Sequence, residues 1–213
     1  MNFEKELNII IVDLNAKKFE EVIIKCKDLI KLNLGNTVVY NIYGVALQNL
    51  QKYEKSIEAL KKSIQFQNNN FVAINNLAVS LKAINNLKQS EKMFIKCLKI
   101  KPDYVNAIIN YANLKRESSQ YDEAIKLFLE SLDYLQNLNK LKIYFNLTEL
   151  YKIVGDFEKA NNFAQIIVKE NPDNVYGHKL LSDFIDYKVD NKHLQQMENI
   201  FNKNDLKNIE KIE

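Results

Sequence analysis

Apolar residues in this chain recur three and four positions apart, the spacing of one face of an α-helix. Ile57, Leu60 and Ile64 follow one such face, and Ile125, Phe128 and Leu132 another. The pattern then repeats on a longer scale. An aromatic or apolar column runs Phe19, Tyr53, Leu87, Tyr121 and Phe157, in steps of 34, 34, 34 and 36 residues. A small column runs Gly44, Ala78, Ala112, Thr148 and Ser182. Directly before it lies an apolar column of Tyr43, Leu77, Tyr111, Leu147 and Leu181. A fourth column stays small or nearly so at Val22, Ser56, Ser90, Ala124 and Ala160. Four columns in one register, sharing one two-residue slip, mark a tandem repeat.

Each column has a physical role in a pair of antiparallel helices. A small residue on the first helix lets the second approach closely, and the second offers its own small residue in return. The aromatic column is expected to open each second helix and plug the gap between the two, with about 1.5–3 kcal/mol per buried side chain. The repeats predicted on this register span about 3–36, 37–70, 71–104, 105–140 and 141–174, with a partial one over 175–188. The two extra residues fall around Gln136 to Lys140 and are expected to lengthen one connection. Pro102 and Pro172 stand where a helix has ended, and Asn171-Pro172-Asp173-Asn174 reads as a stop followed by an N-cap. A sixth first helix is predicted over about 175–187. Asp190-Asn191 then opens a helix that caps the stack through Leu194, Met197 and Phe201, before a polar tail from Lys203 to Glu213. The predicted fold is all-α: a right-handed α-solenoid over 1–188, then a capping helix and tail over 189–213, with the first helices lining a concave face.

Composition narrows the function. Four Gly and two Pro in 213 residues suit long helices with short connections. A net charge of +3, with no run of five basic residues, leaves out the footprint of a nucleic-acid binder. No apolar stretch reaches the roughly 18–20 residues of a membrane span, and the start Met1-Asn2-Phe3-Glu4-Lys5-Glu6 is acidic where a signal peptide would be basic. The expected setting is cytoplasmic. Cys26 and Cys97 sit in apolar helical stretches and read as buried free thiols. His178 and His193 lack ligand-type neighbours at metal spacing and read as solvated or packing side chains. The four glycines are isolated, so no phosphate loop forms, and no nucleophile triad can be assembled. Neither a catalytic site nor a cofactor is expected.

The columns resemble the tetratricopeptide repeat family over roughly residues 3–188. The similarity is strongest in Tyr144–Asn174, with Leu147, Tyr151, Gly155-Asp156-Phe157, Ala160 and Pro172, and in Val105–Leu138, with Ala112, Tyr121, Ala124 and Phe128. The chain departs from that pattern in having no tryptophan, in Cys26 and Ala164 where the second helix usually has an aromatic, and in Asp13 at an apolar position of repeat 1. The resemblance implies a groove that holds a protein or peptide partner. Asn76, Asn110 and Asn146, spaced 34 and 36, look like the asparagine ladder of the repeats attached to protein O-GlcNAc transferases, which hydrogen-bond a peptide main chain. Asn41, Asn75, Asn113, Arg116, Glu149 and Lys152 complete the predicted groove, with Val45, Val79, Ile109 and Phe145 between them. The set does not match the dicarboxylate clamp of chaperone-binding members of the family, because Arg116 falls one turn too late.

The first functional reading is therefore a non-catalytic adaptor with a peptide groove. A second comes from Asp190-Asn191-Lys192-His193-Leu194-Gln195-Gln196-Met197, which resembles the linker joining such repeats to bacterial sulfotransferase domains. It implies the recognition region of a sulfotransferase- or glycosyltransferase-type enzyme without its catalytic part. A third reading is self-association through exposed end faces.

Overall fold

The computed structural model describes residues 2–135, 137–188 and 192–203, which form twelve α-helices and no strand. Two compact units divide the chain, 1–118 and 119–213. The first holds α1 (Phe3–Asn15), α2 (Phe19–Lys31), α3 (Thr37–Asn49), α4 (Tyr53–Phe66), α5 (Phe71–Ala83), α6 (Leu87–Ile100) and α7 (Val105–Glu117). The second holds α8 (Tyr121–Asp133), α9 (Asn137–Val154), α10 (Phe157–Glu170), α11 (Val175–Ser182) and α12 (Lys192–Lys203). Within each unit, consecutive helices pack on one another, and in the first unit α1, α3, α5 and α7 also lie side by side. Each unit is a stretch of tetratricopeptide-type solenoid.

The turns inside the pairs are set by the backbone as regularly as by the apolar columns. Lys17, Gln51, Asn85, Ser119 and Gly155 all take positive φ, between 57° and 83°. They are spaced 34, 34, 34 and 36 residues apart. After Lys17, Gln51, Asn85 and Gly155 the next amide bonds back to a carbonyl five residues earlier, as in Asn86 N to Leu81 O at 2.9 Å and Asp156 N to Tyr151 O at 2.9 Å. That bond satisfies an orphan carbonyl at the helix end. Asparagine then starts several first helices: the side chains of Asn36, Asn70 and Asn174 accept from first-turn amides of α3, α5 and α11.

The small columns are the tightest part of the core. Ala78, Ala112, Thr148, Val22, Ser56, Ser90, Ala124 and Ala160 are all fully buried. The serines do more than save space. Ser56 Oγ donates to the Gly44 carbonyl at 2.8 Å, and Ser90 Oγ to the Ala78 carbonyl at 2.7 Å, tying each second helix to the small residue it faces. One turn further along, Cys26, Leu60, Phe94, Phe128 and Ala164 are equally buried. The thiols of Cys26 and Cys97 are free and buried, as their apolar setting implies.

Four expectations need correction. The aromatic column does not plug the gap: Phe19, Tyr53, Leu87 and Tyr121 are half-buried, and Phe157 is 61 % exposed. It occupies the first residue of each second helix, beside the turn, where packing partners exist on one side only. The two extra residues do not lengthen a connection. They go into α9, which has 18 residues where most first helices have 13. The helix predicted to reach residue 187 ends at Ser182, because Phe184 N and Ile185 N bond to the carbonyls of Leu181 and Ser182 and tighten the chain out of the α-helix. Finally, α12 turns His193 inward, 5 % exposed, and leaves Leu194 40 % exposed. Met197 is half-buried, while Asp190, Asn191, the Phe201 side chain and residues 204–213 lie outside the described residues.

Asp13, out of place in the apolar pattern, is buried because Lys25 reaches across from α2 to bind its carboxylate, with Lys18 at 3.9 Å. Glu91 and Lys115 make a similar pair at 2.6 Å. The Lys115 hydrogen bond, helped by that of the Tyr111 hydroxyl, holds the Glu91 carboxyl below the usual glutamate range.

Candidate interaction face

In the first unit, the side-by-side packing of α3, α5 and α7 makes a face whose middle is a relay of amides. Asn110 Nδ2 donates to Asn75 Oδ1 at 3.1 Å, Asn75 Nδ2 to Asn76 Oδ1 at 3.3 Å, and Asn76 Nδ2 to Asn41 Oδ1 at 3.1 Å. Three first helices are thus linked by four asparagines. Gln48 extends the network, donating to the Asn76 carbonyl at 3.2 Å and to Ser80 Oγ at 2.8 Å; Ser80 in turn meets Ser56 Oγ at 2.9 Å. Asn75 is only 4 % exposed, so it braces the face from behind and does not line it. Asn41, Asn76 and Asn110 are half-buried beside the half-buried Val45, Val79 and Ile109. Asn113 folds back onto the Ile109 carbonyl at 3.0 Å, and Arg116 is half-buried at the end of α7. Lys82 and Glu117 pair at 2.6 Å along the edge of an open depression of about 490 Å³, which Gln48 and Val79 also line.

The predicted groove residues of the second unit lie on α9. Asn146 donates to its own helix, at the Lys142 carbonyl, 2.8 Å away. Lys152 binds Asp183 at 2.6 Å and lies 3.8 Å from Glu149, and the Asp183 hydrogen bond raises its ammonium above the ordinary lysine value. Phe145 and Tyr176 pair with ring centroids 5.1 Å apart.

Burial pushes the Cys26 thiol up to about 12 and the Cys97 thiol to about 11, values at which neither is a nucleophile at neutral pH. Among the described residues, no three His, Cys, Asp or Glu side chains converge as metal ligands, and no helix is long and apolar enough to cross a membrane.

Sequence reasoning missed one cluster. His178 and His193, expected to be ordinary solvated or packing residues, are buried against each other with Nδ1 and Nε2 2.9 Å apart. No periodic signal marks them, since they lie 15 residues apart and outside the repeat columns.

Comparison with known proteins agrees with this architecture. The family model described as tetratricopeptide repeat matches residues 38–70 and 72–104. No curated protein matches the sequence. Among solved structures, one titled for functional characterisation of Pseudomonas aeruginosa pilF aligns over 94 % of this chain and 92 % of its own, with TM-score 0.74 and 12 % identity. MamA, residues 41 to the end, from Desulfovibrio magneticus RS-1 aligns over 81 % of this chain and 96 % of its own, with TM-score 0.69 and 16 % identity. YrrB, titled a TPR protein with an unusual peptide-binding site, aligns over 81 % and 88 %, with TM-score 0.62 and 13 % identity. At these identities the likeness is one of fold.

Proposed function

We propose that this chain is a non-catalytic interaction module whose first-helix face receives an extended peptide or a protein surface. The observation that carries this reading is the asparagine relay across α3, α5 and α7. A primary amide has two N–H donors and an oxygen with two lone pairs, more than one bond to each neighbour consumes. Asn41, Asn76 and Asn110 can therefore hold one another in place and still offer hydrogen bonds to a peptide main chain. Val45 and Val79 between them supply apolar contact, and the Lys82–Glu117 pair a polar rim. On α9, Asn146, Glu149 and Lys152, with Phe145 and Tyr176, provide the same mixture of amide, charge and ring. A face of this composition, amides along its middle with apolar side chains between them and a charged pair at its rim, suits the main chain and side chains of an extended peptide.

The test is affinity capture from the native cell with parent protein and two variants. Val45→Glu combined with Val79→Glu places charge on the face, and Lys96→Glu alters an exposed position of α6. A specific partner should be retained by the parent and by Lys96→Glu and lost from the double variant, with helicity unchanged. Retention of that partner by the double variant refutes the face as its site.

A further inference from the structure

Charge and asparagine are sorted between the two kinds of helix in the first unit. The chain is 27 % charged overall, yet α3 carries no charged residue, α5 only Lys82, and α7 only Lys115, Arg116 and Glu117, all in the last turn. Lys115 is buried against Glu91 of α6, and Lys82 pairs with Glu117 at the rim. The second helices are the reverse. α2 carries six charged residues and α4 and α6 five each, all of them exposed except the half-buried Lys25 and Glu91. Asparagine runs the other way, with seven in α3, α5 and α7 and none in α2, α4 or α6. Asparagine is a weaker helix former than lysine or glutamate, so helix propensity does not place it there. Frequent use of both asparagine and lysine would scatter both over every helix. Their separation makes the first-helix face a different surface from the rest of the unit.

That face discriminates by charge. A charged side chain of either sign, pressed on Asn41, Asn76 and Asn110 with Val45, Val79 and Ile109, loses water and gains no opposite charge. A peptide main chain loses nothing there, because side-chain amides match both its N–H and its C=O groups. Neighbouring helices lie about 8–10 Å apart and an extended chain rises about 3.3 Å per residue, so crossing from α3 over α5 to α7 takes about five or six residues. Successive side chains of an extended chain point in opposite directions. Alternate residues of the crossing stretch therefore meet the valines and the isoleucine, and the others face solvent.

We propose that the occupant of this face is an extended, charge-free peptide stretch of about six residues, held by its main chain and screened at alternate side chains against either sign of charge. The inference rests on the reading of this face as a peptide site and names the class of peptide it takes. It is confined to the first unit, since α9 carries Lys140, Lys142, Glu149 and Lys152 along its length.

The test is selection of random peptides of about twelve residues, displayed on phage, against the whole chain. It is run in about 0.3 M salt, which screens attraction to the exposed lysines of α4 and α6. Enriched peptides should share a charge-free window of about six residues. One of them is then remade with Lys, Glu or Gln at each position in turn, and binding is followed by fluorescence anisotropy. At alternate positions of the window, Lys and Glu should each bind about tenfold or more weaker than Gln at the same position. Equal binding by the Lys, Glu and Gln peptides at every position overturns the proposal. So does a loss confined to one sign, which would mean that an opposite charge on the protein reads the peptide. If enriched peptides carry charge throughout and yet are lost from the Val45→Glu, Val79→Glu double variant, the face stands as a peptide site and the charge screen falls. Enriched peptides that bind the double variant as well as the parent, or no enrichment at all, overturn both readings.

Discussion

Gly44 lies in the middle of α3, against α4, and a single added carbon there tests how close the two helices are. A methyl group on Gly44 would stand 2.6 Å from Leu60 Cγ and 2.8 Å from Cδ2. Carbon atoms in contact sit about 3.5–4 Å apart, so something must move. Leu60 is fully buried and the contact is at its branch point, which leaves little freedom to yield. Two effects oppose each other in Gly44→Ala. Alanine is favoured over glycine in a helix interior by about 1 kcal/mol. Overpacking costs about 1–3 kcal/mol, so a net loss of about 0–2 kcal/mol is expected. Leu60→Ala by itself should cost about 2–5 kcal/mol as a cavity. In that background the clash is gone and only the propensity gain remains, so Gly44→Ala should now stabilise by about 1 kcal/mol. The cycle predicts a coupling of about 1–3 kcal/mol between the two sites. Urea unfolding followed by far-UV circular dichroism measures it, with equal slopes required across the four proteins. A gain of about 1 kcal/mol in both backgrounds, with no coupling, would refute the close approach of α3 to α4.

Acid stability should report on Glu91. Its carboxyl is held low by Lys115, so it contributes stability above the unfolded glutamate value of about 4.3, and that stability is lost as pH falls through the lower folded value. Glu91→Gln should flatten this part of an acid unfolding curve, and an unchanged slope would remove the pair from the account. The asparagines should separate by burial. Asn75→Ala strips partners from both Asn76 and Asn110 and should cost about 1–3 kcal/mol, while Asn49→Ala, whose exposed amide bonds the Val45 carbonyl of its own helix, should stay within about 0.5 kcal/mol. Equal thermal shifts for the two would mean that the relay contributes nothing to the fold.

The relay changes what the groove residues mean. Asn76, Asn110 and Asn146 fall in one column of the sequence and look equivalent there. In the structure the first two are bound into a network with Asn75 and Asn41 that links α3, α5 and α7. Removing Asn76 or Asn110 therefore acts on stability as well as on any partner. The serines at 56 and 90 show the same gap between column and role. Their column reads as a requirement for small size, yet each hydroxyl also ties down the carbonyl of the residue it faces.

The sequence by itself determined the helices, their pairing and the period of 34, because helix faces and close backbone approaches each demand a residue type at a fixed spacing. It also located the stop at Pro172, the cap at Asn174 and the buried thiols. Only the tertiary structure decided how far each column is covered, and which polar atoms meet. Phe157 and Phe128 are both phenylalanines in register, but one stands at a turn and the other between helices. Asp13 with Lys25, Asn110 with Asn75, and His178 with His193 are joined across 12, 35 and 15 residues by no common period. Periodicity follows from the geometry of one helix about its own axis. A hydrogen bond between two helices depends on their relative rotation and separation to within a fraction of an ångström, and those are set only when the whole core has packed.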